Sequence, residues 1–242
     1  MNDLTGKTVF ITGAAYRLGK VMALAAAKAG ADIVLHHGHS TKDAEETAHE
    51  IRQLDRKVWI LQADLNDPIQ VEHLISSAMQ IAPLYALVNN ASIFTPGGLL
   101  ETSLSTWQES ININLTAPFL LSQAFIKNHS NNQSGRIINL LDWRALRPGR
   151  DHFAYTISKS GLAALTKAAA LAGAPSISVN AIALGAILPP SDVTVNDNVL
   201  AQVPMQRWAD LSELESTFLF LLSGPAYITG EIIHLDGGRH IV

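Results

Sequence analysis

Short runs of β-branched and other apolar residues recur along the chain at 8–11, 32–36, 58–62, 85–89, 136–141, 176–183 and 231–235. Between them lie longer stretches in which apolar positions return every three or four residues, notably 106–126 and 153–172. Apolar runs this short fit strands buried on both faces, and the longer spacing fits amphipathic helices. Strands separated by helix-length segments need right-handed crossovers, so the pattern predicts an α/β fold: a doubly wound, seven-stranded parallel sheet flanked by helices. No repeat, low-complexity tract or Pro/Ser-rich linker divides the chain, and a single domain over 1–242 is expected. The least regular stretch, 186–202, contains Pro189-Pro190-Ser191-Asp192 and follows the C-terminal end of a strand. Open α/β sheets bind ligands at that edge, so this stretch is expected to act as a substrate lid.

Composition narrows the picture by exclusion. Of 242 residues 48% are hydrophobic and 16% charged, enough apolar surface for one large core. The net charge is −4 and the basic residues are scattered, so no stripe favours nucleic acid or an anionic membrane. Cysteine is absent, which excludes disulfides and thiolate chemistry. The polar start Met1-Asn2-Asp3-Leu4 does not read as a signal peptide, and no apolar run is long enough to span a bilayer, so a cytoplasmic protein acting on a small molecule is expected. His36, His37 and His39 have no carboxylate or thiolate neighbour to complete a metal site, and no metal is expected.

Two constellations carry chemistry. The first strand runs into Thr12-Gly13-Ala14-Ala15-Tyr16-Arg17-Leu18-Gly19, followed by an Ala-rich helix. Glycines at a strand-to-helix turn let the backbone approach a pyrophosphate, and the helix N-terminus offers free N–H groups and a positive dipole end. Arg17 stands where a third glycine is expected and brings a fixed positive charge. The second constellation is Tyr155 and Lys159, four apart on one helix face, with Asp142 thirteen residues earlier at a strand end. A nearby ammonium lowers a phenol from its free pKa of about 10, so Tyr155 is expected to donate a proton near neutrality.

These motifs, with Ala63-Asp64-Leu65, Asn89-Asn90-Ala91-Ser92, Asn114 and the closing Asp236-Gly237-Gly238, occur in an order that resembles the short-chain dehydrogenase/reductase family over nearly the whole chain. The resemblance implies a single-domain Rossmann fold in which Asp64 and Leu65 flank adenine, Asn90 and Ala91 line the cofactor cleft, and Gly185 and Ile187 lie near the nicotinamide. It also implies that Lys159 holds the nicotinamide ribose, that Asn114 holds a water relaying protons towards Lys159, and that the chain forms a homotetramer through the helices at 106–126 and 153–172. Leu184-Gly185 replaces the family's usual Pro-Gly.

Asp142 replaces the family's usual serine, whose hydroxyl donates to a carbonyl becoming an alkoxide. An ionised carboxylate there is repulsive, by roughly 4 kcal/mol for two unit charges at ~4 Å and an effective dielectric near 20. A C=N substrate with ring N–H groups suits an aspartate better. Asp142, with Arg17-Leu18-Gly19 and Asn89-Asn90-Ala91-Ser92-Ile93-Phe94, makes the chain most similar to the pteridine reductases. That branch implies Phe94 stacking on a pterin and Ser92 and Arg17 bonding to pterin and phosphates. The second strand ends in His36-His37-Gly38-His39-Ser40-Thr41 without an acidic residue to reject a 2′-phosphate. His39, Ser40 and Thr41 are expected to receive it, so NADPH is favoured, with His39 standing where an arginine is usual. His36 and His37 read equally as surface residues. The expected reaction is NADPH-dependent reduction of a C=N bond in a pterin- or folate-like ring. The alternatives are a carbonyl reductase or alcohol dehydrogenase of the same family with Asp142 protonated, and a non-catalytic NADP-binding regulator.

Overall fold

A computed structural model describes residues 3–129, 133–188 and 198–242. Seven parallel strands form one sheet: β1 (Thr8–Ile11), β2 (Asp32–His37), β3 (Val58–Gln62), β4 (Leu84–Asn89), β5 (Gly135–Asp142), β6 (Ile177–Leu184) and β7 (Ile232–Leu235). Their order is β3-β2-β1-β4-β5-β6-β7, so the winding reverses between β1 and β4. A crevice opens at that switch point beyond the carboxyl ends of the strands. β1, β4 and β6 are buried at every position, which is why they read as continuous apolar runs and not as alternating ones.

Helices α1 (Arg17–Lys28), α2 (Thr41–Gln53) and α8 (Leu211–Ser223) bury Met22, Ile51 and Phe218 against one face of the sheet. On the opposite face α3 (Pro68–Ile81), α5 (Ala117–Asn128) and α6 (Phe153–Gly173) enclose Phe10, Leu74, Leu121 and Phe125. Fully burying a side chain of this size stabilises the fold by about 1.5–3 kcal/mol. Local signals set the helix ends: Asp67 caps α3 by accepting from the Ile69 amide, with Pro68 at the first helical position. Asp210 and Glu213 form a reciprocal capping box on α8. Two shorter α-helices complete the α-helical set among the described residues, α4 (Leu104–Ile111) and α7 (Asn198–Ala201).

The strand boundaries match the apolar runs to within one residue, and β5 extends to place Asp142 inside the sheet, paired with Leu184. The helix expected at 106–126 differs. It is divided into α4 and α5 by a π-helical turn, Asn112–Thr116, whose wider ladder directs Asn114 inward, fully buried. A single five-residue π turn is too short to impose a period of its own on the apolar spacing. The expected lid at 186–202 is described only at its ends, 186–188 and 198–202, and the rest lies outside the described residues.

Candidate active site

The glycine-hinged turn after β1 is clamped by the end of β4. Thr12 Oγ1 accepts from the amides of Asn90 (3.0 Å) and Ala91 (3.1 Å), and Asn90 Nδ2 donates to the carbonyls of Thr12 (2.8 Å) and Gly13 (2.9 Å). These bonds tie β1 to the end of β4 across the switch point. Gly13 has φ +61, and a Cβ on Gly19 would lie 2.0 Å from the Gly13 carbonyl oxygen, so neither position accepts a side chain at this approach. Arg17 opens α1 at φ 51, a left-handed conformation that costs a non-glycine residue of order 1 kcal/mol.

A cavity of about 600 Å³ runs from this turn past the end of β2. Of the residues expected to hold the cofactor, Gly13, Arg17, Leu18, Gly19, His39, Ser40, Asp64, Leu65, Asn90, Ala91 and Ser92 line it. Thr41 does not: it is exposed as the first residue of α2. Gly185 and Ile187 also lie off the lining. The Gly185 amide donates to the Leu235 carbonyl (2.9 Å), and a Cβ there would meet Asp236 Cα at 2.5 Å, so this glycine is needed for backbone packing; Ile187 is buried in the core.

His36 and His37 are buried, which corrects the surface alternative. His36 Nδ1 accepts from the Gly13 amide (3.1 Å) and Nε2 faces the Ala63 carbonyl (3.1 Å), so the neutral imidazole bridges the turn to the end of β3. Burial depresses its pKa from 6.5 to about 4, against the raising effect of the Ala63 carbonyl bond. Because the folded state resists protonation, the His36 contribution is full above pH 6.5 and is lost as pH falls from there to about 4. That loss amounts to about 3 kcal/mol. Urea unfolding at neutral and acid pH should show this drop in the wild type and a smaller one in His36→Gln; equal drops would remove the role of His36.

At the carboxyl end of β5, Asp142 and Tyr155 meet. Tyr155 Oη donates to Asp142 Oδ2 (3.2 Å), and Asp142 Oδ1 accepts from the Arg144 amide (2.8 Å). Burial raises the Asp142 pKa against the lowering effects of Arg144, Lys159 and Tyr155. The expectation for Tyr155 is overturned in direction. Burial, then the Asp142 charge and hydrogen bond, push the phenol well above its ordinary value. Lys159 Nζ donates to the Leu140 carbonyl (2.7 Å) and stands 5.8 Å from the Tyr155 ring centre, and burial lowers its own pKa to about 8. Lys159 therefore does not acidify Tyr155 here; the more acidic proton of the pair belongs to the Asp142 carboxyl.

Asn114 is held firmly by its neighbours. Its Oδ1 accepts from Ser92 Oγ (3.0 Å) and the Ile93 amide (2.9 Å), and its Nδ2 donates to the Ile93 carbonyl (3.0 Å) and Ser158 Oγ (3.0 Å). A carboxamide has two donor hydrogens and two acceptor lone pairs, so these four bonds saturate the side chain. It braces the segment that leads to Phe94. The Phe94 ring is 50% exposed, meets Tyr155 edge-on at 4.7 Å and stacks on His152 at 3.8 Å. His152 and Arg144 are site residues that the sequence reading missed. Arg144 pairs with Asp151 (3.0 Å), which also bonds His152 (2.9 Å). His152 lies three residues before Tyr155 and Arg144 two after Asp142, and that proximity was the available signal.

A doubly wound sheet with a glycine-hinged crevice at its switch point and a Tyr–Lys pair at the same edge defines a dinucleotide-dependent oxidoreductase. The chain belongs to the short-chain dehydrogenase/reductase family, its residues 13–240 matching the family model described as enoyl-(acyl carrier protein) reductase. A 3-oxoacyl-(acyl-carrier-protein) reductase from Synechocystis is 33% identical over 98% of both chains. Among solved structures, FolM alternative dihydrofolate reductase 1 from Brucella canis, complexed with NADP, superposes with a TM-score of 0.91 at 32% identity, covering 99% of this chain and 96% of that one. A blue fluorescent protein from a metagenomic library, in complex with NADPH, gives a TM-score of 0.91 at 32% identity over 98% and 99%.

Proposed function

We propose that the protein is an NADPH-dependent reductase of a C=N bond in a pterin- or folate-like ring. The carrying observation is Asp142, half-buried, with one oxygen fixed by the Arg144 amide and the other bonded to Tyr155. The 600 Å³ cavity suits the adenosine and pyrophosphate end of NADPH: Gly13 and Gly19 leave a cradle that a Cβ would fill, and no acidic side chain lies between His36 and Thr41 to repel a 2′-phosphate. Two of the similar structures contain NADP or NADPH. When bound, the cofactor supplies the hydride to the ring carbon. The Asp142–Tyr155 pair supplies the proton to the ring nitrogen and regains it from solvent. Lys159, charged and buried beneath the pair, offsets the negative charge left there and holds the nicotinamide ribose. Phe94 offers a ring face for the heterocycle, with His152 already on one side of it.

A second reading draws on the raised Asp142 pKa and the oxoacyl reductase relatives: a protonated Asp142 donates to a carbonyl oxygen. NADPH oxidation with dihydropterins and dihydrofolate, run beside 3-oxoacyl thioesters and simple ketones, separates the two. Turnover of the ring substrates supports the first reading; turnover of carbonyls alone supports the second.

With its pKa near 8, Lys159 loses its charge as pH rises through that value. The kcat/KM for NADPH should therefore fall above about pH 8, and Lys159→Met should lower and flatten the profile. A wild-type profile flat to pH ~10 would contradict this role. Homotetramer assembly through α4–α5 and α6 is part of the same reading, supported by exposed Leu104, Phe119 and Leu171, and light scattering of the purified protein reads it directly.

A further inference from the structure

A second cavity, of about 690 Å³, is bordered by Trp143, Arg147, Gln202, Gln206, Arg239 and Val242. It is built on the turn that directly follows Asp142, so it adjoins the reacting centre through the chain itself. Side-chain contacts also connect the two. The Arg144 guanidinium lies 5.7 Å from the Phe94 ring centre and 4.8 Å from that of Trp143, and the Arg239 guanidinium lies 4.2 Å from the same Trp143 ring.

The charges along this path are unevenly compensated. Asp151 neutralises Arg144. Among the described residues neither Arg147 nor Arg239 makes an ion pair, and no acidic side chain lines the cavity. Arg239 is 9% exposed; Nη2 donates to Gln202 Oε1 (3.0 Å), but Nε is buried without a partner. Arg147 Nη1 reaches the Arg239 carbonyl (3.3 Å), which links the two arginines. Burial and then the Arg144 charge lower the Arg239 pKa, partly offset by the charges of Asp142, Asp151 and Asp236, and an incoming anion relieves the remaining cost of burial. A guanidinium fork matches a carboxylate or phosphate, and an indole face suits an aryl group.

We propose that this cavity seats the anionic tail of the substrate, an aryl-linked carboxylate of the folate type, with the carboxylate on Arg147 and Arg239 and the aryl spacer against Trp143. The proposal rests on the ring-reduction reading and narrows it to tailed substrates over free pterins. A phosphate is the other source of the same anion chemistry.

The test is calorimetric titration of the NADP-loaded protein with p-aminobenzoylglutamate and, separately, with inorganic phosphate, in the wild type and in Arg147→Gln, chosen because the Arg147 side chain is exposed and its loss leaves the core intact. The tail fragment should bind the wild type and bind Arg147→Gln about tenfold more weakly, the factor carried by about 1.4 kcal/mol. The ratio of kcat/KM for dihydrofolate over a tail-less dihydropterin should fall by a similar factor. No fragment binding, equal affinity in both proteins, or binding of phosphate alone would overturn the proposal. Because the fragment has no reducible ring, its binding is read independently of turnover. Arg147-dependent binding without pterin turnover would therefore refute the ring-reduction reading while retaining the anion site.

Discussion

Asp142→Ser is expected to lower kcat/KM for ring reduction by about 10²–10⁴-fold, the usual range for removing a positioned acid or base. The serine hydroxyl is too short to accept from both the Arg144 amide and Tyr155, which the two oxygens of Asp142 do now. It also removes the carboxyl whose pKa burial has raised towards the range where it can give up a proton. A hydroxyl in that place donates to a developing alkoxide, so carbonyl turnover should rise in the same variant. Asp142→Asn separates geometry from charge: the amide oxygen still accepts from Arg144, but the group no longer titrates. Steady-state rates for the three proteins on one dihydropterin and one ketone decide the matter. Unchanged ring reduction in Asp142→Ser would remove the argument from charge, and activity retained in Asp142→Asn would confine Asp142 to a positioning role.

The second large effect is expected from Gly19→Ala. The added methyl would stand 2.0 Å from the Gly13 carbonyl oxygen, 2.7 Å from Asn90 Nδ2 and 2.9 Å from Ala14 Cα. Two of these atoms are backbone of the turn and the third belongs to the side chain that clamps it, so no side-chain rotation relieves the clash. The start of α1 must move away from Gly13 and Asn90. Overpacking of this kind costs about 1–3 kcal/mol of stability. Displacing the amides that face the cavity should weaken NADPH binding by about 10²-fold, the scale of loss when a site is misplaced by about 1 Å. Thermal unfolding and NADPH titration measure the two effects separately. A destabilised variant with unchanged NADPH affinity would mean that this turn is not the pyrophosphate seat.

The sheet was legible in the sequence because parallel strands covered on both faces leave uninterrupted apolar runs, as 177–184 and 84–89 do. The glycine turn was legible for a related reason, since a close backbone approach excludes side chains at fixed positions. The π turn at Asn112–Thr116 was not, because a single five-residue turn is too short to show an apolar period of its own. Nor could spacing give the direction in which Tyr155 shifts. Lys159 does share its helix face, but burial and Asp142, brought in from another strand, dominate the phenol. His36 was ambiguous for the same reason: its partners, Gly13 and Ala63, come from the ends of two other strands. The Trp143–Arg239 cavity joins positions 96 residues apart and left no local pattern to read.

The destination of the hydride tests the central claim most directly. The protein should be incubated with NADPH carrying deuterium on the reactive nicotinamide carbon, together with dihydrofolate, a dihydropterin and a 3-oxoacyl thioester, and the products resolved by mass spectrometry and NMR. Deuterium on a ring carbon adjacent to nitrogen in the reduced heterocycle is the predicted result. Label found only on the carbinol carbon of the thioester product, with the heterocycles recovered unchanged, would contradict the account.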